Sequence, residues 1–118
     1  MSSEEIIDLY CQAWDEPDAA RRDALLRQSL HESATYTDPT VNVAGIAALS
    51  QHIEKVLARY PGSKIERLGA LDRHHDVGRF AWRKVLADGT PLPEGIDFVD
   101  FGSDGRLTRI VGFFPPRK

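Results

Sequence analysis

The spacing of apolar residues changes along this 118-residue chain, and the change limits which folds are possible. Up to residue 60, apolar side chains mostly recur every three or four positions, which is the repeat of amphipathic helices. From residue 64 onward they alternate, which is the repeat of strands with one buried face. Helices followed by a run of consecutive strands are typical of an α+β domain rather than of an alternating α/β domain.

Three helices are predicted in the first half of the chain. Ser2 and Glu5 have the spacing of a capping box, and Asp18 can cap a second, shorter helix. The third helix begins after Gly45 and ends before Pro61, which cannot continue it. We expect the arginines of the second helix to face solvent: Arg21, Arg22 and Arg27.

Five strands are predicted. The first covers residues 33–38 and is followed by a loop through Val43. The other four cover about 64–72, 77–87, 95–101 and 106–114. Asp88-Gly89 and Asp104-Gly105 lie between alternating runs, where Asp-Gly is a typical hairpin turn.

The composition excludes several classes of protein. Fifteen basic and eighteen acidic residues give a net charge of −3, which argues against a general nucleic-acid binder. A single cysteine, Cys11, cannot form an internal disulfide and fits a reducing compartment. No apolar run approaches the length of a membrane span, and residues 1–5 are acidic rather than basic as in a signal peptide. We expect one domain over residues 1–118, in the cytoplasm, with neither nucleic acid nor membrane as partner.

Alternation divides each predicted strand into two faces, and both faces of the sheet carry apolar residues. One face carries Phe80, Trp82, Lys84, Asp97, Val99, Ile110, Gly112 and Phe114. The opposite face carries Ala81, Phe98, Val111 and Phe113. Three helices can cover only one face, and exposed apolar patches usually mark an interface. We therefore expect a homodimer formed through the second set.

Two aspartates are anomalous because they share strand faces with core residues. Asp97 lies on the face of Val99, and Asp38 on the face of Tyr36. A buried carboxylate is costly without partners, so such groups sit in a cavity or become protonated. Together with Tyr10, two carboxyl groups in different environments could divide the work of proton transfer. The alternative is structural: Asp38 ends a strand, Asp97 meets a backbone amide and Tyr10 belongs to the core.

His74 and His75 raise the question of a metal site. Adjacent strand residues point to opposite faces, and no H-x-H or H-x-x-x-H spacing accompanies them. A hairpin turn with exposed imidazoles explains the pair better than a metal ion does. If His74 shares the face of Phe80 and Trp82, it lies near the mouth of any cavity on that face.

Two segments resemble the SnoaL-like branch of the nuclear transport factor 2-like superfamily. They are ATYTDPTVNVAGIAALSQHI and GIDFVDFGSDGRLTRIVGFF. The superfamily includes ketosteroid isomerases and polyketide cyclases, as well as members that only bind or transport. The resemblance implies a cystatin-like cone in which three N-terminal helices pack on a strongly curved mixed sheet. It also implies an internal pocket and dimerisation through the sheet.

The ketosteroid isomerase pattern places a tyrosine in the first helix, an aspartate before a proline, and an aspartate in an I-D-x-x-x-F strand. Tyr10, Asp38 and Asp97 are similar to these three positions. The resemblance implies that Asp38 is the base and that Tyr10 and protonated Asp97 donate hydrogen bonds to an oxyanion. It implies no metal and no organic cofactor. Trp14, one helical turn from Tyr10, could instead occupy the place of the tyrosine.

These observations together predict an isomerase, cyclase or dehydratase for an apolar, steroid-like or polyketide-like carbonyl compound. The expected pocket walls are Trp14, Tyr36, Phe80, Trp82, Ile110, Gly112 and Phe114, with His74 at the mouth. We expect a cavity of at least a few hundred Å³ that touches both Asp38 and Asp97. One alternative is a binding module without catalysis. Another is a structural dimer whose two tryptophans fill the centre of the cone.

Overall fold

The computed structural model describes residues 1–116, which form three helices and one six-stranded sheet. The elements in chain order are α1 (Ser3–Ala13), α2 (Ala19–Ser29), β1 (Leu30–Asp38), β2 (Val41–Ala44), α3 (Ile46–Arg59), β3 (Lys64–His74), β4 (Val77–Val85), β5 (Gly95–Phe101) and β6 (Leu107–Phe113). The strand order is β2-β1-β6-β5-β4-β3; β1 pairs with β6 in parallel and the other neighbours are antiparallel. The predicted α+β class with three helices on a mixed sheet is confirmed.

The helix ends follow the local sequence signals. The Ser2 side chain accepts a hydrogen bond from the Glu5 backbone and the Glu5 side chain accepts one in return, so the capping box is confirmed. Asp18 caps α2 by accepting a hydrogen bond from the backbone of Arg21 at 2.9 Å. Gly45 precedes α3 with a φ of 90°, a backbone conformation that favours glycine.

The predicted loop through Val43 is wrong, because this segment is the edge strand β2. Asp38 pairs with Val41 across a tight turn, and Asp38 Oδ1 accepts hydrogen bonds from the backbone N–H groups of Thr40 and Val41. Pro39 lies at the turn itself, where its missing N–H does not interrupt the pairing. The carboxylate of Asp38 therefore organises the turn that joins β1 to β2.

The expected exposure of Arg22 is also wrong. Its side chain is buried between α2 and α3, where Nε donates to Ser50 Oγ at 2.9 Å. Nη1 donates to the backbone oxygen of Glu16 at 2.9 Å, and Nη2 lies 3.6 Å from the Glu54 carboxylate. The guanidinium is buried because three different groups satisfy its donors.

The two faces of the sheet differ sharply in exposure. The inner face packs on α1 and α3 and buries Phe80, Val99 and Ile110. On the outer face Phe98 is 43% exposed and Phe113 is 57% exposed, and their rings meet edge to face with centroids 5.9 Å apart. The predicted division of the strands into two faces is confirmed. No helix within residues 1–116 is long and apolar enough to span a membrane.

Candidate active site

A cavity of about 580 Å³ lies between the inner face of the sheet and helices α1 and α3. Both Asp38 and Asp97 line it, so the predicted cavity is confirmed. Five of the predicted wall residues also line it: Trp14, Tyr36, Phe80, Trp82 and Phe114. Because the two tryptophans stand at the wall and leave this volume open, the alternative of a filled cone is wrong.

The two carboxyl groups converge over β6 at Gly112. Gly112 pairs directly with Asp97 on one side, and β1, which carries Asp38, lies on the other. A Cβ atom at Gly112 would lie 3.0 Å from Asp97 Oδ1 and 3.5 Å from Asp38 Cβ. The missing side chain thus makes room for the Asp97 carboxyl rather than for ligand, and Gly112 is not among the residues that line the cavity. Its predicted role as a wall residue is corrected accordingly.

Asp38 is held by four hydrogen bonds. Oδ1 accepts from the Thr40 backbone and hydroxyl at 2.7 Å each, and from the Val41 backbone at 3.1 Å. Oδ2 accepts from the Tyr36 hydroxyl at 2.6 Å. Four donors surround the carboxyl group, and the side chain is only 3% exposed. Asp38 therefore ends its strand, as the structural alternative states, and also presents one oxygen of its carboxylate within the cavity wall.

Asp97 is in the opposite electrostatic situation. It is 5% exposed, and Oδ1 accepts a hydrogen bond from the indole Nε1 of Trp82 at 2.9 Å. Burial raises the pKa of Asp97 from 3.8 to about 7. The Trp82 hydrogen bond opposes this rise, whereas the charge of Asp38 adds to it. Its partner is a side-chain indole and not the backbone amide of the structural alternative. At neutral pH a large fraction of Asp97 is a neutral acid that can donate a proton.

Tyr10 has an unsatisfied hydroxyl in the same cavity. The side chain is 2% exposed, and the hydroxyl oxygen makes no hydrogen bond of acceptable geometry with residues 1–116. Burial, together with the nearby charge of Asp97, raises the pKa of Tyr10 well above 10. Trp14 instead packs against Tyr36 and His52, with centroid distances of 5.4 and 5.9 Å. Tyr10 thus lies near Asp97, and Trp14 lies on the side of Asp38.

His52 is a site residue that the sequence analysis missed. It lies on α3, and its Nε2 is 3.9 Å from Asp38 Oδ2. Burial lowers the pKa of His52 more than the charge of Asp38 raises it, so the imidazole is neutral at pH 7. Leu49, three positions before His52, is buried, and so is Ile53, which follows it. This helical spacing could have indicated that His52 faces inward.

Trp82 and Lys84 have more specific positions than a strand pattern can indicate. The sequence predicts Trp82 only as a residue of the pocket wall. In the structure its indole Nε1 donates a hydrogen bond to Asp97 Oδ1. Lys84 shares its face, as predicted, and is 2% exposed at the cavity wall. The alternation of β4 identified the face, whereas the hydrogen bond depends on how β4 and β5 are aligned.

Two predicted pocket residues lie elsewhere. His74 pairs directly with Val77, and opposite residues of an antiparallel pair share a face, so His74 is on the outer face and is exposed. Its ring contacts His75 instead of the cavity. Ile110 faces inward but is completely buried beside Tyr36 and Val99, in the core beneath the cavity. Within residues 1–116, no group of three or more His, Cys, Asp or Glu side chains is arranged to hold a metal ion.

Comparison with known proteins gives structural relatives. Neither protein-family models nor curated protein sequences match the chain. A candidate isomerase of the SnoaL-like family from Agrobacterium tumefaciens strain C58 is 32% identical, with a TM-score of 0.89 over 98% of this chain and 100% of that one.

Two more distant structures share the fold. A protein from Catenulispora acidiphila with a ketosteroid isomerase-like fold, solved with trimethylamine, is 13% identical, with a TM-score of 0.74 over 96% of this chain and 87% of that one. A cystatin-fold protein from Novosphingobium aromaticivorans is 15% identical, with a TM-score of 0.70 over 95% of this chain and 97% of that one. These confirm the predicted cystatin-like architecture. The chain belongs to the SnoaL-like family.

Proposed function

We propose that this protein is an acid–base enzyme of the isomerase, cyclase or dehydratase type that acts on an apolar carbonyl compound in the cavity. The observation that carries the proposal is the convergence of two carboxyl groups in opposite environments at Gly112. The carboxyl group of Asp38 accepts four hydrogen bonds, while Asp97 is buried and accepts one, from an indole. Pairs of titratable groups whose environments differ in this way are typical of acid–base sites.

The proposed reaction begins with proton removal from the carbon next to the carbonyl. Asp38 Oδ2 takes the proton, and the electrons of the broken C–H bond move into the enolate. Asp97 and Tyr10 donate hydrogen bonds to the enolate oxygen, which gains charge as the bond breaks. Return of the same proton to a different carbon completes an isomerisation and restores Asp38. His52 faces the same Asp38 oxygen and offers a second acceptor for that proton.

Deuterium exchange tests the proposal without knowledge of the natural substrate. A panel of apolar cyclic ketones is incubated with the protein in D₂O, and loss of the α-proton signals is followed by NMR. We expect at least one ketone to exchange about 10²-fold faster than in buffer, since general-base catalysis alone contributes at least that factor. Binding of the ketones without any acceleration would contradict the proposal and would favour the binding module instead.

The Tyr10 hydroxyl is expected to serve the reaction and not the fold. Because the buried hydroxyl makes no hydrogen bond with any of residues 1–116, Tyr10→Phe should leave the melting temperature unchanged or raise it slightly. The exchange rate should fall by about 10²-fold, the usual loss when one oxyanion donor is removed. Thermal melts and the exchange assay measure the two effects. A lower melting temperature with unchanged exchange would contradict the assignment.

We also propose that the protein is a homodimer formed through its outer sheet face. The exposed rings of Phe98 and Phe113 form one apolar patch with Ala81 and Val111. Ion pairs on the same side of the sheet, such as Arg79–Asp72 and Arg109–Asp100, present both signs of charge. In a two-fold interface the same surface of both subunits meets. Because charges of both signs surround the apolar patch, a positive group of one subunit can face a negative group of the other.

Phe113→Asp is expected to convert the dimer to a monomer, because it places a charge in the centre of the apolar patch. Light scattering on a sizing column should give about twice 13.2 kDa for the unmodified chain and 13.2 kDa for the variant. Gln12→Glu, which adds a negative charge at an exposed position of α1, serves as the control and should remain dimeric. An unmodified chain that elutes as a monomer would contradict the proposed interface.

A further inference from the structure

The indole of Trp82 lies directly over Gly95 of the neighbouring strand. The two residues pair across β4 and β5, and a Cβ atom at Gly95 would lie 2.6 Å from Cζ2 and 2.8 Å from Cε2 of the indole. Contacts this short do not occur in proteins, so any side chain at Gly95 would displace the ring. Gly95 is not among the glycines with positive φ, so space rather than backbone conformation requires glycine here.

The position of the indole decides whether its N–H reaches Asp97. Trp82 pairs with Gly95, whereas Asp97 pairs with Phe80, so the 2.9 Å hydrogen bond from Nε1 to Asp97 Oδ1 runs diagonally between the strands. The ring of Phe114 meets the indole with centroids 5.9 Å apart, and Trp82 is only 7% exposed. A displaced ring would lose the hydrogen bond, because hydrogen bonds weaken steeply with distance and angle.

The hydrogen bond distinguishes the two oxygens of the Asp97 carboxyl group. Oδ1 accepts from Trp82 and is packed against Gly112, where a Cβ atom would lie only 3.0 Å away. An indole N–H can only donate, so in the neutral acid Oδ1 is the accepting oxygen and the proton resides on Oδ2. Because Asp97 lines the cavity, Oδ2 is the oxygen left to donate to a ligand.

We propose that Trp82, seated on Gly95, is a positioning residue that holds the proton of Asp97 on Oδ2, from which a hydrogen bond is donated to a carbonyl ligand. The inference rests on the proposed function for the ligand and on the hydrogen bond and the close approach for the placement of the proton. Trp82 acts through Asp97, and Gly95 acts through Trp82.

Other titratable groups also face Asp97. Four of them interact with it electrostatically: Asp38 and Tyr36 from β1, and Tyr10 and Cys11 from α1. Burial raises the pKa of both tyrosines well above 10 and also raises the pKa of the Cys11 thiol, so these three groups keep their protons through neutral pH. His52 on α3 lies beside Asp38 and packs against the other tryptophan, Trp14.

The indole N–H of Trp82 reports the ionisation of Asp97 directly. The chain has two tryptophans, so in Trp14→Phe the one remaining indole signal in a ¹⁵N NMR spectrum is that of Trp82. We expect this signal to move to lower field with a midpoint near pH 7, because a carboxylate accepts a stronger hydrogen bond than a neutral acid does. The shift should vanish when Asp97→Asn is added. A Trp82 signal that does not follow Asp97 would overturn the proposal.

Trp82→Phe removes the N–H and keeps an aromatic ring at the wall. The carboxyl carbon of Asp97 is followed by ¹³C NMR of aspartate-labelled protein, and its absence from Asp97→Asn identifies it. We expect its midpoint to move about one pH unit higher, since a hydrogen bond to the ionised form changes the equilibrium at least tenfold. Trp14→Phe is the matched control and should leave the midpoint of Asp97 in place.

Gly95→Ala tests the seat of the indole by adding a single methyl group. It should move the midpoint of Asp97 in the same direction, and it supplies the measurement should Trp82→Phe fail to fold. In the double variant with Trp82→Phe, the midpoint should equal that of Trp82→Phe alone, because Gly95 has no hydrogen bond left to protect. Additive shifts would overturn the role of Gly95. An unchanged midpoint in every folded variant would overturn the whole proposal.

The proposed reaction and the proposed positioning role can fail separately. Ketone exchange should fall as Asp97 loses its proton above pH 7, and in Trp82→Phe this fall should move about one pH unit higher. A moved midpoint without exchange of any ketone would leave the placement of the proton standing and refute the enzyme. Exchange of ketones with an unmoved midpoint would leave the enzyme standing and refute the role of Trp82.

Discussion

Asp38→Asn is expected to reduce α-proton exchange by about 10³-fold, within the range that one general base contributes. Asparagine has the size of aspartate but no negative charge with which to accept a proton from carbon. Its carbonyl oxygen can still accept from the Thr40 and Val41 backbones, so the turn between β1 and β2 should persist. Its amide can donate to the Tyr36 hydroxyl, which also accepts hydrogen bonds. Ketone binding, measured by tryptophan fluorescence, should change less than threefold.

The matched control for this variant is Asp100→Asn. Asp100 lies on β5 but on the outer face, where its carboxylate is 3.9 Å from Arg109, so its replacement removes the same charge outside the cavity. Exchange in Asp100→Asn should match that of the unmodified chain. If Asp38→Asn keeps exchange within threefold of the unmodified chain, Asp38 is not the base, and His52→Gln becomes the variant to measure.

The fold could be predicted from the sequence because its signals are local. A capping box, a proline after the third helix and a change of period each act within a few residues, and each element formed near its predicted place. The strand β2 was missed because its pairing depends on the Asp38 carboxylate, which holds the turn through backbone N–H groups. The burial of Arg22 was missed because Ser50, its partner, is 28 residues away in the sequence.

The candidate site could be predicted only as far as strand alternation reaches. Alternation indicates which side of a strand Asp97 faces, and burial of a carboxyl group on that side already indicates a cavity or a raised pKa. It does not indicate which residue of the next strand lies opposite. The Trp82 hydrogen bond and the outward placement of His74 both depend on that alignment. His52 approaches Asp38 from a helix, a contact that strand periodicity does not describe.

The second large effect concerns stability, because a buried acid opposes folding when it must lose its proton. The pKa of Asp97 is about 7 in the folded protein, against a value of 3.8 for the exposed group. Below pH 4 both states hold the proton and the difference contributes nothing. Between pH 4 and 7 the unfolded chain loses the proton while the folded protein keeps it, so stability falls as pH rises. Above pH 7 both states are ionised and the full cost remains, about 4 kcal/mol for a shift of this size.

Asp97→Asn should therefore stabilise the protein increasingly as the pH rises. The asparagine oxygen can still accept from Trp82 Nε1, and the uncharged side chain carries no penalty for ionisation. Denaturant unfolding at pH 5 and pH 8 should show the advantage of the variant growing by about 3 kcal/mol, since most of the cost develops between these values. Any fixed cost of burying the amide is the same at both pH values and cancels in the comparison. Asp100→Asn should show no such growth, and an advantage for Asp97→Asn that is equal at both pH values would mean that Asp97 does not carry its proton into the folded protein.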